Sequence, residues 1–447
     1  MQTNHKAKIN QGVALWRKAK TLIPGGNQLL SKRSEMFLPN QWPSYYKRAQ
    51  GVELWDLDNR HYYDLSIMGI GTCVLGYANP GVNRAVKRAL DAGSMSTLNC
   101  YEEVALAEKL IELHPWAQMV RFARTGGEAD AVAVRIARAA SGKDKVLFCG
   151  YHGWSDWYLA SNLADSKNLD GQLLQGLEPQ GIARGLKGTS FPFSYGNVQK
   201  FKQLVDEHQG EVGAVIMEVQ RSQTIDIPFL QEVRNIANKI GAVLIFDEVT
   251  SGFRVRTGGL HMLYPVRPDI VVLGKAMGNG HPIAAVVGKK SVMDAAQKSF
   301  ISSTYWTERV GYAAALEVIR QYEARNVPAL ICKKGERVAE ALKRIFARHQ
   351  LKIEMTGLLP VPTMVIKEEN PLVVKTLFTQ EMLKKGYLAS NVIFMSSCHS
   401  DKILNQYLVA ADQTLGAIAL WKSQGILEEK LEGPVCHAGF KREDRRI

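Results

Sequence analysis

Two short apolar runs, each of which leads directly to a reactive side chain, place the strongest constraint on the fold. Residues 242–246 are rich in branched and aromatic side chains and lead into Asp247, and residues 270–273 lead through a glycine into Lys275. Unbroken apolar runs of this length are typical of strands covered on both faces in a parallel sheet. Ligand crevices of open α/β sheets lie beyond the carboxyl ends of the strands. The pattern therefore predicts Asp247 and Lys275 at the same edge of a sheet.

A lysine and a carboxylate at one sheet edge meet the needs of pyridoxal phosphate. The cofactor's aldehyde forms a Schiff base with a lysine amine, and a carboxylate keeps its ring nitrogen protonated so that the ring accepts electrons. Alternative interpretations are a turn cap or a metal ligand for Asp247, and a solvated loop residue for Lys275. The acidic strand of a P-loop NTPase is disfavoured, because the sequence contains no GxxxxGK[ST] motif.

The segments FDEVTSGFR and PDIVVLGKAMGNGHPIAAVVG carry a family resemblance. They resemble the signature of the class III pyridoxal-phosphate-dependent aminotransferases, and especially of the glutamate-1-semialdehyde aminomutase-like branch. The resemblance covers nearly the whole chain and is strongest from residue 119 to residue 290. It implies that Asp247 contacts the pyridine nitrogen and that Lys275 carries the Schiff base.

The expected fold class is α/β, namely the pyridoxal-phosphate-dependent transferase fold type I that the resemblance implies. We expect a large α/β/α domain with a mainly parallel sheet at residues 60–325. Residues 1–59 and 326–447 are expected to form a smaller α+β domain, because charged amphipathic helices near the C-terminus surround two strand-like runs, LKIEMTG and VPTMVIK.

The segment after the predicted strand 119–123 is a candidate phosphate site. A glycine pair opens a helix there, and the free N–H groups and positive dipole end of a helix amino terminus attract phosphate. The candidates are Thr125, Gly126 and Gly127, with plain helix capping as the alternative. The family usually has Ser-Gly-Thr at this point. In this chain the third residue is Gly127, so the hydroxyl group of the family's threonine is missing.

Three further candidates follow predicted strands. Tyr151 comes after the strand 146–149, where an aromatic ring can lie over a flat cofactor, as the YHG motif of the family also implies. His152 is either a core histidine or a proton relay that reaches the substrate. Glu218 directly follows the predicted strand 213–217 and is expected at the same edge of the sheet as Asp247. The proline that commonly follows this glutamate in the family is absent.

The resemblance also implies residues for the substrate and for a second subunit. Lys32 or Arg33 corresponds by position to a basic residue that binds a substrate carboxylate in the family. Independently of the resemblance, Arg221 and Gln223, which follow Glu218, are candidate substrate contacts. Surface positions are the alternative for all four. Thr304 matches a threonine that reaches across a dimer interface to the partner's cofactor phosphate, with helix capping as the alternative. We therefore expect a homodimer with shared active sites.

Composition narrows the class of protein. The 447 residues are 46% hydrophobic and 22% charged, as is ordinary for a globular protein. The net charge of +13 would attract an anionic substrate. It would also suit nucleic acid, but Lys and Arg are spread along the chain, with the densest cluster at 441–446, so we expect no nucleic-acid partner.

We also expect a cytoplasmic protein without a membrane span, disulfides or a metal site. The start is polar, and the six cysteines show neither a CxxC pair nor a Cys/His ligand spacing.

These features favour an aminotransferase that moves an amino group from a donor such as glutamate to a keto or aldehyde acceptor by a ping-pong mechanism. Lys275 would also move the α-proton, which requires a pKa lowered by burial. The alternative is the aminomutase, in which a glutamate follows the YLA motif; here no acid follows residues 387–389 before Asp401. Residues 161–196 also do not match the gating loop of that branch. A non-catalytic pyridoxal-phosphate-binding protein is the outside alternative.

Overall fold

A computed structural model describes residues 10–222 and 224–440. Gln223 and the basic cluster at 441–446 lie outside the described residues. The helices are α1 (Gln11–Leu22), α2 (Met68–Gly71), α3 (Pro80–Asp91), α4 (Tyr101–Leu113), α5 (Gly126–Ser141), α6 (Asp156–Leu159), α7 (Val198–Glu207), α8 (Ile227–Ile240), α9 (Lys290–Met293), α10 (Arg309–Arg325), α11 (Val327–Arg348), α12 (Pro371–Lys384) and α13 (Asp401–Ser423). The strands are β1 (Tyr46–Gln50), β2 (Glu53–Asp56), β3 (His61–Leu65), β4 (Met119–Ala123), β5 (Lys145–Cys149), β6 (Ser190–Pro192), β7 (Val212–Glu218), β8 (Val243–Asp247), β9 (Ile270–Leu273), β10 (Ala284–Gly288), β11 (Ile353–Thr356), β12 (Thr363–Ile366) and β13 (Tyr387–Ala389).

The chain divides into two compact units. The first, which we call the small unit, contains the described residues up to Ile70, residues Leu75–Asn79 and the described residues from Lys333 onward. The second, the large unit, contains Gly71–Val74 and Pro80–Cys332. The domain limits expected from the sequence, at residues 60 and 325, stay a prediction.

A seven-stranded sheet forms the centre of the large unit. Its strand order is β4-β10-β9-β8-β7-β5-β6. The five strands from β9 to β6 are parallel, and β10 runs antiparallel to both of its neighbours. The mainly parallel sheet expected from the sequence is confirmed.

The central strands are apolar because they are covered on both faces. Every residue of β7, β8 and β9 is buried, and α5 packs across β7, β8, β9 and β10. The sequence predicted a strand at 242–246 with Asp247 just after it, whereas Asp247 is the last residue of β8. It pairs in register with Glu218, the last residue of β7. The two carboxylates therefore reach the same edge of the sheet.

Residues 161–196, which show no clear periodic pattern in the sequence, include one strand of the sheet. Ser190–Pro192 forms β6, which pairs in parallel with β5 at the edge of the sheet. Proline is tolerated on an edge strand because one side of the strand makes no ladder hydrogen bonds. A strand of three residues is too short to show a periodic pattern, so the sequence does not reveal it.

The small unit contains its own sheets. Strands β1, β2 and β3 form an antiparallel meander, and β13 extends it in parallel beside β3. β11 and β12 form a separate antiparallel pair, where the sequence predicted two strand-like runs. α12 packs against both α13 and β13. Among the described residues, no helix is long and apolar enough to cross a membrane.

Candidate active site

The carboxyl edge of the parallel strands in the large unit gathers the polar side chains predicted from the sequence. β5 ends just before Tyr151, β7 ends at Glu218, β8 ends at Asp247, and β9 ends two residues before Lys275. Since these strands are parallel neighbours, their carboxyl ends lie along one rim. We call this rim the active-site edge.

Asp247 is a buried carboxylate with fixed partners. Its Oδ2 lies 2.7 Å from Nδ1 of His152, and its Oδ1 accepts a hydrogen bond from the backbone N–H of Val249 at 3.0 Å. Burial alone would raise the pKa of Asp247. The hydrogen bond and charge of His152, the Val249 N–H and the charge of Lys275 together lower the pKa below its usual value. Asp247 is therefore ionised and can hold a protonated ring nitrogen.

His152 lies behind Asp247 and has no exposed surface. Its Nε2 lies 3.2 Å from the carbonyl oxygen of Cys149, and its ring stacks on Trp157 with centroids 6.0 Å apart. Both ring nitrogens thus face oxygen atoms, which fixes the orientation of the ring. A direct contact between His152 and the substrate stays a prediction.

Lys275 sits in a strained turn, with its amine held by a hydroxyl. Its φ of 41° is in the left-handed region, which is uncommon for a residue with a side chain and is over-represented at functional sites. Nζ donates a hydrogen bond to Oγ1 of Thr250 at 2.8 Å. Burial, assisted by the positive charge of Arg221 and opposed by Asp247, lowers the pKa of Lys275 to about 8. Thr250 was not predicted, although it lies within the DEVTSG segment that drew attention to Asp247.

The lowered pKa of Lys275 predicts how fast the protein stripped of cofactor takes up pyridoxal phosphate. Only the neutral amine attacks an aldehyde, so the uptake rate should fall about tenfold per pH unit below about pH 8 and level off above it. Arg221→Gln should move this break to higher pH, because it removes a positive charge near the amine. Stopped-flow absorbance measures the rate. A wild-type rate that still rises steeply at pH 10 would contradict the low pKa.

Glu218 links Arg221 to the Tyr151 segment. The carboxylate accepts hydrogen bonds from Nε of Arg221 at 2.8 and 3.0 Å, from Nη2 of Arg221 at 2.5 Å, and from the backbone N–H of Tyr151 at 3.1 Å. Gly150 has a φ of 112°, and a Cβ at this position would lie 2.6 Å from Oε2 of Glu218. Only glycine allows the carboxylate to approach the backbone so closely. The Tyr151 segment is therefore held at the active-site edge by Glu218.

The predicted phosphate segment forms the beginning of α5. Glu128 accepts hydrogen bonds from the backbone N–H groups of Arg124 and Thr125, at 2.9 and 3.2 Å, in a capping box. Capping is thus present, as the alternative interpretation of Thr125 proposed. The N–H groups of Gly126 and Gly127 lie in the first turn, where a helix provides no internal acceptor. They remain suited to an anion.

Gly153 packs closely against Gly127 in this segment, whereas Gly142 at the end of α5 has open space around it. Alanine substitutions at Gly153 and Gly142 should therefore have different effects. A Cβ on Gly153, whose φ is 92°, would lie 2.7 Å from Cα of Gly127, whereas a Cβ on Gly142, whose φ is 67°, would meet nothing within 4 Å. Gly142→Ala should cost roughly 1–2 kcal/mol of stability from its backbone conformation alone. Gly153→Ala should cost more and should also release pyridoxal phosphate, because Gly127 must move. Calorimetry and cofactor retention after dialysis measure both effects; equal losses for both variants would contradict the account.

Arg124 ties α5 to the segment that contains Thr304. Its guanidinium donates hydrogen bonds to the carbonyl groups of Tyr305 (2.6 Å), Trp306 (3.1 Å) and Glu308. Thr304 begins a short, exposed 3₁₀ helix, Thr304–Thr307. The helix that follows, α10, is capped by Glu308, whose side chain accepts from the backbone at 2.7 Å. Helix capping by Thr304 is therefore not the observed arrangement.

The two basic candidates near the N-terminus belong to the small unit. Lys32 is exposed at the end of a short 3₁₀ helix, Leu30–Lys32. Arg33 is partly buried, and its guanidinium lies over Gly25. Their assignment to a substrate carboxylate stays a prediction.

The residues of the active-site edge fit pyridoxal phosphate. An ionised carboxylate, Asp247, lies near a lysine with a lowered pKa, and an aromatic side chain and a glycine-opened helix lie on neighbouring elements. When bound, the cofactor supplies an electron sink for the carbon atom that bears the amino group. Together with the parallel sheet, this site defines a pyridoxal-phosphate-dependent transferase of fold type I.

Comparison with known proteins identifies the family. The model of the family described as aminotransferase class-III matches residues 38–401. The chain belongs to this family and is a pyridoxal-phosphate-dependent aminotransferase. Membership in the family was predicted from the two quoted segments and is confirmed.

The relatives include both a transaminase and an aminomutase. The chain is 30% identical over 375 residues to 2'-deamino-2'-hydroxyneamine transaminase of Streptomyces kanamyceticus, covering 83% of this chain and 91% of the relative. It is 29% identical over 418 residues to glutamate-1-semialdehyde 2,1-aminomutase of Hyperthermus butylicus, covering 88% and 95%. The solved structure of the PLP internal aldimine form of Sphingopyxis sp. MTA144 FumI protein has a TM-score of 0.83 and 24% identity, over 93% of this chain and 99% of that one. This last similarity shows the fold.

Proposed function

We propose that the protein transfers an amino group between two molecules, from a donor such as glutamate to a keto or aldehyde acceptor, by a ping-pong mechanism. The observation that carries the proposal is the juxtaposition of a lysine amine, whose pKa is lowered to about 8, with an ionised Asp247. The amine serves as a base near neutral pH, and the carboxylate stabilises positive charge on a ring nitrogen.

Each residue of the active-site edge has a proposed task. Lys275 would hold the cofactor until the amine of the donor displaces it, and its amine would then move the α-proton as general base and general acid. Asp247 keeps the ring nitrogen protonated. The Tyr151 ring covers one face of the ring, and Glu218 holds the backbone of Tyr151 in place. The phosphate is assigned to the start of α5, through Thr125, Gly126 and Gly127.

Arg221 of the large unit is proposed to contact an anionic substrate, and Lys32 and Arg33 of the small unit are separate candidates for such a contact. Arg221 uses Nε and Nη2 to bind Glu218, which leaves Nη1 for a substrate oxygen. Lys32 and Arg33 are the candidates for a carboxylate. Lys32→Ala and Arg33→Ala should raise KM for the anionic substrate alone if that residue contacts the substrate. Arg221→Gln should raise the same KM and also move the pH dependence set by Lys275.

The aminomutase is the second candidate function, favoured by the relatives that carry that name. We favour transamination between molecules because the segment after β13 carries no acid before Asp401, where the aminomutase pattern has a glutamate. Incubation of the cofactor-loaded protein with glutamate and no acceptor distinguishes the two. We expect the cofactor spectrum to change to that of pyridoxamine phosphate, with one equivalent of keto acid released.

Two other outcomes of this experiment would overturn the proposal. If no simple donor changes the spectrum, while glutamate-1-semialdehyde alone turns over to 5-aminolevulinate, the protein is an aminomutase. If no amine changes the spectrum at all, the protein binds the cofactor without catalysis. A panel of amino donors and carbonyl acceptors, tested in the same way, then identifies the substrates.

We further propose a homodimer with shared sites. Large apolar side chains of the large unit are strongly exposed, including Leu98 (81%), Tyr101 (72%) and Phe300 (89%). The 94–102 segment adjoins the start of α10, because Arg309 binds Glu102 at 2.7 Å. Apolar surface of this kind is typical of an interface, and a second copy of the chain is the proposed partner. Thr304 lies in the same region of the sequence as Phe300.

Mixing two inactive variants tests the shared site. In a dimer of one Thr304→Ala subunit and one Lys275→Ala subunit, one site carries both defects and the other carries neither. If subunits exchange freely, an equal mixture should recover roughly a quarter of wild-type activity, since half of the dimers contain one intact site of two. No recovery after proven exchange would argue against sharing. An active monomer in sedimentation would exclude the dimer.

A cytoplasmic location is also proposed. All six cysteines are free thiols, as expected in a reducing compartment. Cell fractionation tests the proposal; recovery of the protein from an oxidising compartment would contradict it.

A further inference from the structure

Asp130 is a buried carboxylate next to Asp247 to which the sequence assigned no role. It lies in the second turn of α5 and is 2% exposed. Oxygen atoms of Asp130 and Asp247 and a ring nitrogen of His152 all lie within 4.8 Å of one another. Two carboxylates thus share one water-excluded space behind the active-site edge.

The two carboxylates do not have equal partners. Asp247 lies 2.7 Å from the His152 ring and accepts from the backbone of Val249. Oδ1 of Asp130 is buried and makes no hydrogen bond to any described residue. Two neighbouring buried carboxylates do not both ionise, because each negative charge disfavours the other and burial disfavours both. The shared proton therefore belongs on the carboxylate that lacks compensating partners.

The other charged groups around Asp130 support this assignment. Burial, then the charge and hydrogen bond of Asp247, then the charge of Glu218 raise the pKa of Asp130 well above its usual value, and only Lys275 acts in the opposite direction. The ionisable groups that face the Asp130 carboxyl are Tyr151, His152, Glu218, Asp247 and Lys275.

We propose that Asp130 is a positioning residue that stays protonated at neutral pH and donates a hydrogen bond to Asp247. A protonated carboxyl group has one O–H donor, and Asp247 is the acceptor within reach. His152, Val249 and Asp130 would then hold Asp247 from three sides. The carboxylate would keep one orientation and a reduced basicity, so a ring nitrogen placed against it would keep its proton. This functional part rests on the proposed role of Asp247; the protonation state does not.

Infrared spectroscopy of the cofactor-free protein tests the protonation state alone. The difference spectrum between wild type and Asp130→Asn at pH 7 should contain the carbonyl stretch of a buried, protonated carboxyl group. Asp269→Asn is the matched control: Asp269 is also buried, but it binds Arg234 and Lys289 at 2.8 and 2.7 Å, and their charges help lower its pKa against burial. Apart from the amide bands of the new asparagine, its difference spectrum should show carboxylate bands and no stretch of a protonated carboxyl group. The same carboxylate pattern for Asp130 would overturn the proposal.

The dependence of stability on pH gives a second test without cofactor. A folded pKa above the unfolded value means that the stabilisation by Asp130 is complete below about pH 4 and is lost as the pH rises towards the folded pKa. Asp130→Asn has no such group. Its thermal midpoint should therefore rise relative to that of wild type between pH 5 and pH 7. A difference that stays constant or falls over this range would mean that Asp130 is already ionised in the folded protein, and would overturn the proposal.

Two further measurements separate hydrogen bonding from packing and from metal binding. In the loaded protein, Asp130→Asn retains an N–H donor and should keep the wild-type pH midpoint of the cofactor absorbance, whereas Asp130→Leu should shift it. An unchanged midpoint in Asp130→Leu would reduce Asp130 to a packing role and overturn the positioning proposal. The same three side chains are also spaced for a metal ion. Tight binding of Zn²⁺ by the cofactor-free protein that Asp130→Asn abolishes would overturn it as well.

Discussion

Replacing Lys275 with alanine is expected to lower the rate of transamination by about 10²–10⁴-fold, the usual contribution of one positioned general base. The variant loses both the amine that binds the cofactor and the base that moves the α-proton. A coupled assay of keto acid release measures the change. Lys290→Ala is the matched control, because Lys290 is exposed and its amine pairs with Asp294, four residues further along the chain. The rate of this variant should be unchanged.

Addition of a small primary amine distinguishes loss of the base from misfolding in the Lys275→Ala variant. An added amine that enters the active site can take the α-proton, so part of the rate should return, and the effect should grow with the concentration of the neutral amine. Wild-type activity in Lys275→Ala without any added amine would contradict the assignment of Lys275.

Replacing Asp247 with alanine is expected to leave the covalent link between cofactor and lysine intact while lowering turnover on the order of 10²–10³-fold, the scale of one lost preorganised electrostatic contact. Without the carboxylate, the ring nitrogen loses its proton and the ring accepts electrons poorly. Absorbance measures cofactor binding, and single-turnover reaction with glutamate measures the chemical step.

A cofactor analogue provides the control for Asp247→Ala. Methylation of the ring nitrogen gives a permanent positive charge that needs no carboxylate to maintain it. The variant loaded with this analogue should therefore regain much of the lost single-turnover rate. Full turnover of Asp247→Ala with the ordinary cofactor would count against the role of Asp247.

The parts of the fold that were predictable from the sequence are those with a strong local pattern. The apolar run at 270–273 coincides with β9, and the run at 242–246 lies one residue out of register with β8. Because parallel strands end at a common edge, these two runs were enough to bring Asp247 and Lys275 together. The parallel sheet and the family followed from the same two segments.

The parts that were missed depend on packing rather than on local pattern. Asp130 is an unremarkable helix residue in the sequence, and it reaches Asp247 only because α5 crosses the central strands. Thr250 needs the turn after β8 to direct its hydroxyl to the Lys275 amine. The bidentate contact of Arg221 with Glu218, through Nε and Nη2, likewise depends on the turn after β7, where the usual proline is absent.

The position of the covalent link tests the central claim most directly. Borohydride reduction of the cofactor-loaded protein fixes the link, and digestion with mass spectrometry then locates it. We expect the cofactor mass on the peptide that contains Lys275 and no labelled peptide from Lys275→Ala. A cofactor mass on a different lysine of the wild-type protein would contradict the account.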